Sequence, residues 1–167
     1  MVNLSSSGGN ENALSALQFL KPPHLLILEA RFYTEVADML LAGAVKTLQN
    51  ASASFEKITV PGCLEIPVAL QFASSRKNGR VFDAYVVLGT VVRGDTTHYE
   101  TVCTESNRGL MNVAIQNNLA VGNGILTVEN LDQAFERADV NKMDKGGGAA
   151  RVALSMLHLK QICGLAS

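Results

Sequence analysis

Apolar and polar positions change period along this chain in a repeating rhythm. His24 to Glu29 is an apolar run of strand length. Val36, Leu40, Gly43, Ala44, Thr47 and Leu48 then recur at helical spacing. Phe55 to Val60 reads as a second strand, and Pro61-Gly62 ends it. Leu64 to Ser75 predicts a helix with Pro67 in its first turn, where a missing N–H costs nothing. A third strand is expected over Asp83 to Leu88. Its helix begins at about Thr97 and carries Tyr99, Val102, Cys103, Ser106, Leu110, Val113 and Ala114 on one face. Leu119 to Leu126 reads as strand four. Asn130 follows as an N-cap, with Gln133 placed as in a capping box and a short helix through Leu131, Ala134, Phe135 and Ala138. Gly146-Gly147-Gly148 opens the last helix, whose expected face is Ala149, Val152, Ala153, Met156 and Leu157.

Strand and helix thus alternate four times, which predicts a parallel sheet with helices on both faces. Strands this apolar are expected to be buried on both sides. The expected fold class is α/β: a flavodoxin-like three-layer α/β/α domain over residues 23–167, with a four-stranded parallel sheet in the order 2-1-3-4. Residues 1–22 are expected to form a flexible N-terminal segment, since Met1 to about Asn12 is rich in Ser, Gly and Asn. Within it, Ala13 to Leu20 is apolar and is stopped by Pro22-Pro23. It reads either as an extra strand pairing with another subunit or as a docked tail.

Composition narrows the classes. With 167 residues, 47% of them apolar, the chain suits one domain with a real core. A formal net charge of -1 gives no basic excess for nucleic acid. No apolar stretch approaches a membrane span and no secretory pattern opens the chain, so a cytoplasmic location is expected. Cys63, Cys103 and Cys163 are far apart and odd in number, which favours reduced thiols. His24, His98 and His158 lack metal-ligand spacing, so no metal is expected.

In open parallel sheets, ligands sit outside the carboxyl ends of the strands. After strand three comes Gly89-Thr90-Val91-Val92-Arg93-Gly94-Asp95-Thr96-Thr97-His98-Tyr99-Glu100. It sets two glycines, an arginine, hydroxyls and a histidine in one turn at a helix N-terminus. Free N–H groups there favour an anion, and a histidine beside them can move protons. Ala30-Arg31-Phe32-Tyr33 follow strand one, Pro61-Gly62-Cys63-Leu64-Glu65 strand two, and Thr127-Val128-Glu129-Asn130 strand four. This set suits a flat polar heterocycle beside a phosphate or phosphate ester. Each piece also has a plainer reading. Phe32 reads as a core aromatic or helix staple, Glu65 as a carboxylate at a helix N-terminus, His98 as a surface histidine, and Arg137, Lys142 and Lys145 as a solvated patch. No GxxxxGK or GxGxxG pattern is present. The sharper reading rests on all these pieces falling at one end of the predicted sheet.

The stretch Gly89 to Tyr99 resembles the signature loop of the 6,7-dimethyl-8-ribityllumazine synthase family of riboflavin biosynthesis. Four further motifs agree in order: Ala30-Arg31-Phe32, Val60 to Pro67, Gly124 to Asn130, and Glu136-Arg137-Ala138 with Lys145-Gly146 beyond it. The resemblance covers about residue 24 to the C-terminus. It implies condensation of 5-amino-6-(D-ribitylamino)uracil with 3,4-dihydroxy-2-butanone 4-phosphate, with loss of phosphate and water and without a cofactor. It implies that Phe32 stacks on the pyrimidine and that Cys63, Leu64, Glu65 and Asn123 line the pyrimidine and ribityl site. Thr90, Val91 and Val92 would offer backbone contacts to the heterocycle. Gly94, Asp95 and Thr96 would hold the phosphate, with Arg137 pairing with it in a forked geometry and Lys145 in support. His98 would be the proton shuttle.

The resemblance also implies a homo-oligomer of pentamers, in which Asn123, Arg137 and Lys145 reach in from a neighbouring subunit. Riboflavin synthase is a candidate partner. The turn Asp139 to Lys145 lacks the Gly-Asn-Lys type of sequence of many shell-forming members, which points to an isolated pentamer or a pair of pentamers. Leu64, Asn123, Tyr33 and Asp95 depart from common family residues, Asp95 by placing a negative charge beside the implied phosphate. Leu64 and Asn123 leave room for a low-activity paralogue that binds a flavin-pathway ligand. A flavodoxin-like phosphate-binding or signalling module and an assembly protein are the readings from other classes.

Overall fold

The computed structural model describes residues 17–19 and 21–165. The flexible segment expected over residues 1–22 therefore lies mostly outside the described residues, as does most of its apolar stretch. Leu17, Gln18 and Phe19 form no strand. Leu17 and Phe19 pack against the core, and the Gln18 carbonyl accepts from His158 Nδ1 at 3.1 Å.

Strands β1 (His24–Ala30), β2 (Ser54–Val60), β3 (Ala84–Val92) and β4 (Val121–Val128) form one sheet in the order β2-β1-β3-β4. Every pairing is parallel, as the strand–helix alternation requires. The helices are α1 (Thr34–Asn50), α2 (Ile66–Ser74), α3 (His98–Gln116), α4 (Leu131–Ala138) and α5 (Lys145–Ile162). A 3-10 turn over Cys63–Glu65 leads into α2, with Pro67 in the first helical turn.

Alternate residues of the central strands feed two cores. Leu25, Ile27, Val86 and Leu88 face α1, α4 and α5. Leu26, Leu28, Tyr85 and Val87 face α2 and α3. All of β1 is buried. The edge strands differ from the expectation of two-sided burial. β2 is largely exposed, and β4 alternates between buried and open positions. An edge strand has a neighbour on one side only, and here one face of each also meets solvent.

Two strand ends move relative to the sequence reading. β3 runs on to Val92, so Gly89 to Val92 is strand, and only Arg93 to Thr97 forms the turn. The reason lies in packing: Thr90, Val91 and Val92 pair with Leu126, Thr127 and Val128, which likewise extend β4. Gly89 is needed in the strand because a Cβ there would meet Cys63 Sγ at 2.6 Å. The face of α5 also shifts. Val152 and Met156 are 50% and 42% exposed, while Gly146, Ala149, Ala150, Ala153, Leu154 and Leu157 are buried. That seam follows helical spacing, with glycine and alanine over its first half, which lets α5 approach β4 and α1 closely.

The cap of α4 matches its sequence signal, while that of α5 was not read from the sequence. Asn130 Oδ1 accepts from Gln133 N at 3.0 Å, and Gln133 Oε1 accepts in return from Glu129 N at 3.0 Å. Asp144 Oδ1 accepts from Gly147 N at 3.1 Å and so caps α5.

At the end of the sheet opposite the strand carboxyl termini, Arg76 donates in a fork to Glu56 at 2.8 and 3.0 Å. The Arg76 guanidinium also lies 3.8 Å from the Phe82 ring centroid. Hydrogen bonds from Arg76, and then His24, hold the Glu56 carboxyl down from its ordinary value near 4.5 to about 2. A lowered folded-state value means that this contribution to stability is whole above about pH 4.5 and is lost as pH falls towards 2. Unfolding measured from pH 5 down to 2 is expected to show a flatter pH dependence for Glu56→Gln than for the parent chain. Identical slopes would contradict the assignment.

Candidate active site

A cleft of about 440 Å³ opens at the carboxyl ends of β1, β2 and β3. Its walls come from the carboxyl ends of the strands, the residues that follow them and the first turns of α3. From β1 comes Phe32, 74% exposed, with its ring edge-to-face on Tyr33 at 5.1 Å. A core aromatic or a staple would be covered; this ring is presented to solvent at the cleft. From β2 come Cys63, Leu64 and Glu65 in their 3-10 turn. Glu65 Oε2 lies only 3.0 Å from where a Gly62 Cβ would stand, so Gly62 makes room for the carboxylate. From β3 come Thr90, Val91 and Val92, then Gly94, Thr96 and His98.

Cys63 is buried against β3, its Sγ 3.9 Å from the Thr90 carbonyl. Burial pushes its thiol up to about 11, so it is a packing and lining group near neutrality rather than a thiolate nucleophile. Alkylation of Cys63, followed on its own peptide, is expected to stay slow at pH 8 and to accelerate only towards pH 11. Rapid alkylation at pH 8 would contradict this.

The N-terminus of α3 has no side-chain cap of its own. Only His98 N finds a local acceptor, Thr96 Oγ1 at 3.3 Å. Gly94 stands in open space, with nothing within 4 Å of the point a Cβ would occupy. Helix N–H groups and a hydroxyl facing an open cleft make a place where an anion is stabilised. His98, exposed in the first turn, stands beside it.

Arg93 is committed elsewhere. It pairs with Glu100, reaches Glu129 at 2.5 Å, and stacks over the Tyr99 ring at 4.2 Å. Those two carboxylates raise its pKa, and Arg93 in turn holds the Glu100 carboxyl below its usual range. Arg93 therefore braces the turn and leaves the cleft without a cation of its own.

Four residues singled out in the sequence do not line the cleft within one chain. Asp95 is exposed in the turn. Asn123 lies exposed on β4, donating to Asn107 Oδ1 at 2.6 Å. Arg137 sits in the last turn of α4, where its Nη1 donates to the Gln133 carbonyl at 3.1 Å, with no carboxylate partner among the described residues. Lys145 is exposed at the start of α5.

Tyr33, Tyr99 and Val102 also line the cleft and were not among the sequence-derived site residues. Helical spacing from His98 would have found Val102, four residues along α3. Tyr33 had only its adjacency to Phe32. Among the described residues no group of three or more His, Cys, Asp or Glu could hold a metal ion.

The arrangement offers an aromatic surface, a carboxylate, an anion-binding turn and a proton carrier around one volume. Residues 22–161 match the family model described as 6,7-dimethyl-8-ribityllumazine synthase. A protein of that name from Bartonella tribocorum is 54% identical over 141 residues, 84% of this chain and 92% of the relative. The 6,7-dimethyl-8-ribityllumazine synthase 1 of Rhizobium meliloti is 50% identical over 147 residues, 87% of this chain and 96% of the relative. A synthase of the same name from Agrobacterium fabrum is 50% identical over 147 residues, 87% of this chain and 99% of the relative. All three are named as synthases, and none as a binding or assembly protein.

Proposed function

Because the chain belongs to the 6,7-dimethyl-8-ribityllumazine synthase family, we propose that its cleft joins 5-amino-6-(D-ribitylamino)uracil to 3,4-dihydroxy-2-butanone 4-phosphate. One observation carries the reading: Phe32, Glu65, His98 and the Gly94 to Thr96 turn surround a single volume. The pyrimidine stacks on Phe32 against Leu64 and the backbone of Thr90 to Val92. Its ribityl chain hydrogen-bonds to Glu65. The phosphate of the second substrate sits at the turn, where Asp95 contributes its backbone N–H and keeps its carboxylate in solvent.

The reaction needs no oxidant or reductant. The uracil's 5-amino group condenses with the ketone, releasing one water and leaving an imine. Loss of a proton from the adjacent hydroxyl-bearing carbon then expels phosphate, and the resulting enol returns to a ketone. The ribityl-bearing nitrogen then closes the ring with loss of water. Holding both substrates in one cleft supplies the main advantage, since a bimolecular encounter becomes nearly unimolecular. Fixed donors stabilise the departing phosphate. His98 relays protons between the condensing amine and the leaving groups. Mixing both substrates and following lumazine fluorescence with released phosphate tests the reading. No release above the uncatalysed background would overturn it.

The cleft of one chain lacks a free cation for the phosphate, and Arg137 is unpaired by any described carboxylate. We propose that Arg137, with Lys145 and Asn123, completes the cleft of a neighbouring copy in a pentamer. The turn Asp139 to Lys145 favours a pentamer or a pair of pentamers. Light scattering over a range of concentrations is expected to give one of those masses, and a megadalton particle would contradict it. No helix among the described residues is long and apolar enough to cross a membrane, and the three cysteines are free thiols. A cytoplasmic enzyme is the reading these features support.

A further inference from the structure

Glu29 is the one carboxylate without solvent exposure among the described residues, and nothing in the reaction uses it. It stands near the end of β1, on the face that carries Leu25 and Ile27. An apolar side chain would fill the same place without the cost of desolvating a charge. Glu29 instead ties together three elements. Its Oε1 accepts from Lys57 Nζ at 2.7 Å and from Thr59 Oγ1 at 2.9 Å, both on β2. Its Oε2 accepts from Arg31 Nη1 at 3.1 Å. The other arm of Arg31 pairs with Asp38, in the second turn of α1.

Arg31, Phe32 and Tyr33 are the whole connection between β1 and α1. The fork of Arg31 therefore spans that connection, holding the end of the strand to the body of the helix. Phe32 needs such a hold, because its ring is 74% exposed, stands edge-to-face with Tyr33 and belongs to neither core cluster. No core packing fixes the ring; its pose depends on the backbone that carries it. A buried ion pair is weak evidence for stability, and in some proteins such groups fix one specified geometry.

We propose that Glu29, acting through Arg31 and Asp38, is a positioning residue that sets the pose of the Phe32 ring over the cleft. This rests on the reading of Phe32 as the surface on which the heterocycle stacks. Removing a stacking pose weakens binding of substrate and transition state alike, so it raises KM with little change in kcat.

The test is a double-mutant cycle of Glu29→Gln with Phe32→Ala, read by fluorescence titration with 6,7-dimethyl-8-ribityllumazine and by steady-state rates. Glu29→Gln is expected to weaken lumazine binding and raise KM for the aminouracil by about tenfold, with kcat within about twofold. In the Phe32→Ala background the same substitution is expected to change either constant by less than about twofold. Arg31→Met breaks the clamp from its exposed side, and is expected to repeat the pattern should Glu29→Gln fail to fold. Equal effects in both backgrounds would overturn the proposal. So would a fall in kcat at constant KM, or a lowered thermal midpoint with both constants unchanged. The cycle is read from binding, so it stays decisive apart from turnover. Failure of the parent chain to release phosphate would sink the synthase reading instead.

Discussion

Arg137→Ala is expected to lower kcat/KM by about a thousandfold, the scale of losing a fixed, charged donor from a departing anion. The reason lies in what the cleft lacks. The turn at Gly94 to Thr96 offers N–H dipoles and a hydroxyl but no full positive charge. Arg93, the cation nearest in sequence, is spent on Glu100, Glu129 and the Tyr99 ring. Two guanidiniums among the described residues have no carboxylate partner: Arg80, tied to Ser54 and the Pro22 carbonyl at the opposite end of the sheet, and Arg137, half-buried and held by one bond to the Gln133 carbonyl. A guanidinium fork matches a phosphate in a way that an ammonium does not, so Arg137→Lys is expected to fall between the two. His98→Ala is expected to be milder, with a loss of about a hundredfold, the low end of what a positioned acid–base group supplies, because positioning carries most of the acceleration. Steady-state rates of the three variants check the ranking. A dead His98→Ala enzyme beside a healthy Arg137→Ala one would refute it.

The second large effect concerns folding. Gly122→Ala and Gly146→Ala are each expected to cost more than about 4 kcal/mol, enough to leave many domains unfolded. A Cβ at Gly122 would stand 1.9 Å from the Ala149 carbonyl oxygen, and one at Gly146 would stand 2.0 Å from that of Leu40. Both obstacles are backbone atoms, so no rotamer change relieves them. These two glycines let α5 lie directly on β4 and on α1. Gly148 is the internal control, since its nearest neighbour would be Arg151 Nη2 at 3.7 Å. Gly148→Ala is expected to raise stability by up to about 1 kcal/mol, as it does in an unobstructed helix. Denaturant melts of the three variants separate the cases. An unchanged midpoint for Gly122→Ala would contradict the packing account.

The central elements could be read from the chain because their pattern was strong. β1 and α1 carry clean strand and helix periods, and the buried face of α1 includes every residue the spacing picked out. The strand–helix alternation called for a parallel sheet, and the expected order 2-1-3-4 is the one observed. What failed to show was decided by packing between distant residues. Gly89 looked like the start of a turn, yet it pairs with Ile125 of β4 in the strand, and Cys63 occupies the space of its missing side chain. Val152 and Met156 looked like core, but the seam of α5 runs through Ala150, Ala153, Leu154 and Leu157 instead.

The site was half legible for a similar reason. Phe32, Glu65, Gly94 and His98 follow successive strands, so the parallel topology gathers them. Tyr33 and Tyr99 line the same cleft, but nothing in their spacing set them apart from ordinary surface aromatics. Glu29 read as one more residue of an apolar strand, and only the register with Lys57 and Thr59 exposes its role. Arg137 belongs to a separate helix and stands outside the cleft of its own chain.

The claim at the centre is that this cleft is completed by a neighbouring copy. Subunit mixing tests it directly. One chain carries Phe32→Ala with His98→Ala, the other Arg137→Ala, and each is unfolded and refolded alone and as an equal mixture. In the proposed composite site the cleft comes from one chain and Arg137 from the next, so random assembly would make about one site in four whole. The mixture is expected to recover about a quarter of the parent rate. A mixture no more active than the two separate variants would show that each chain supplies its own Arg137, and the account would fail.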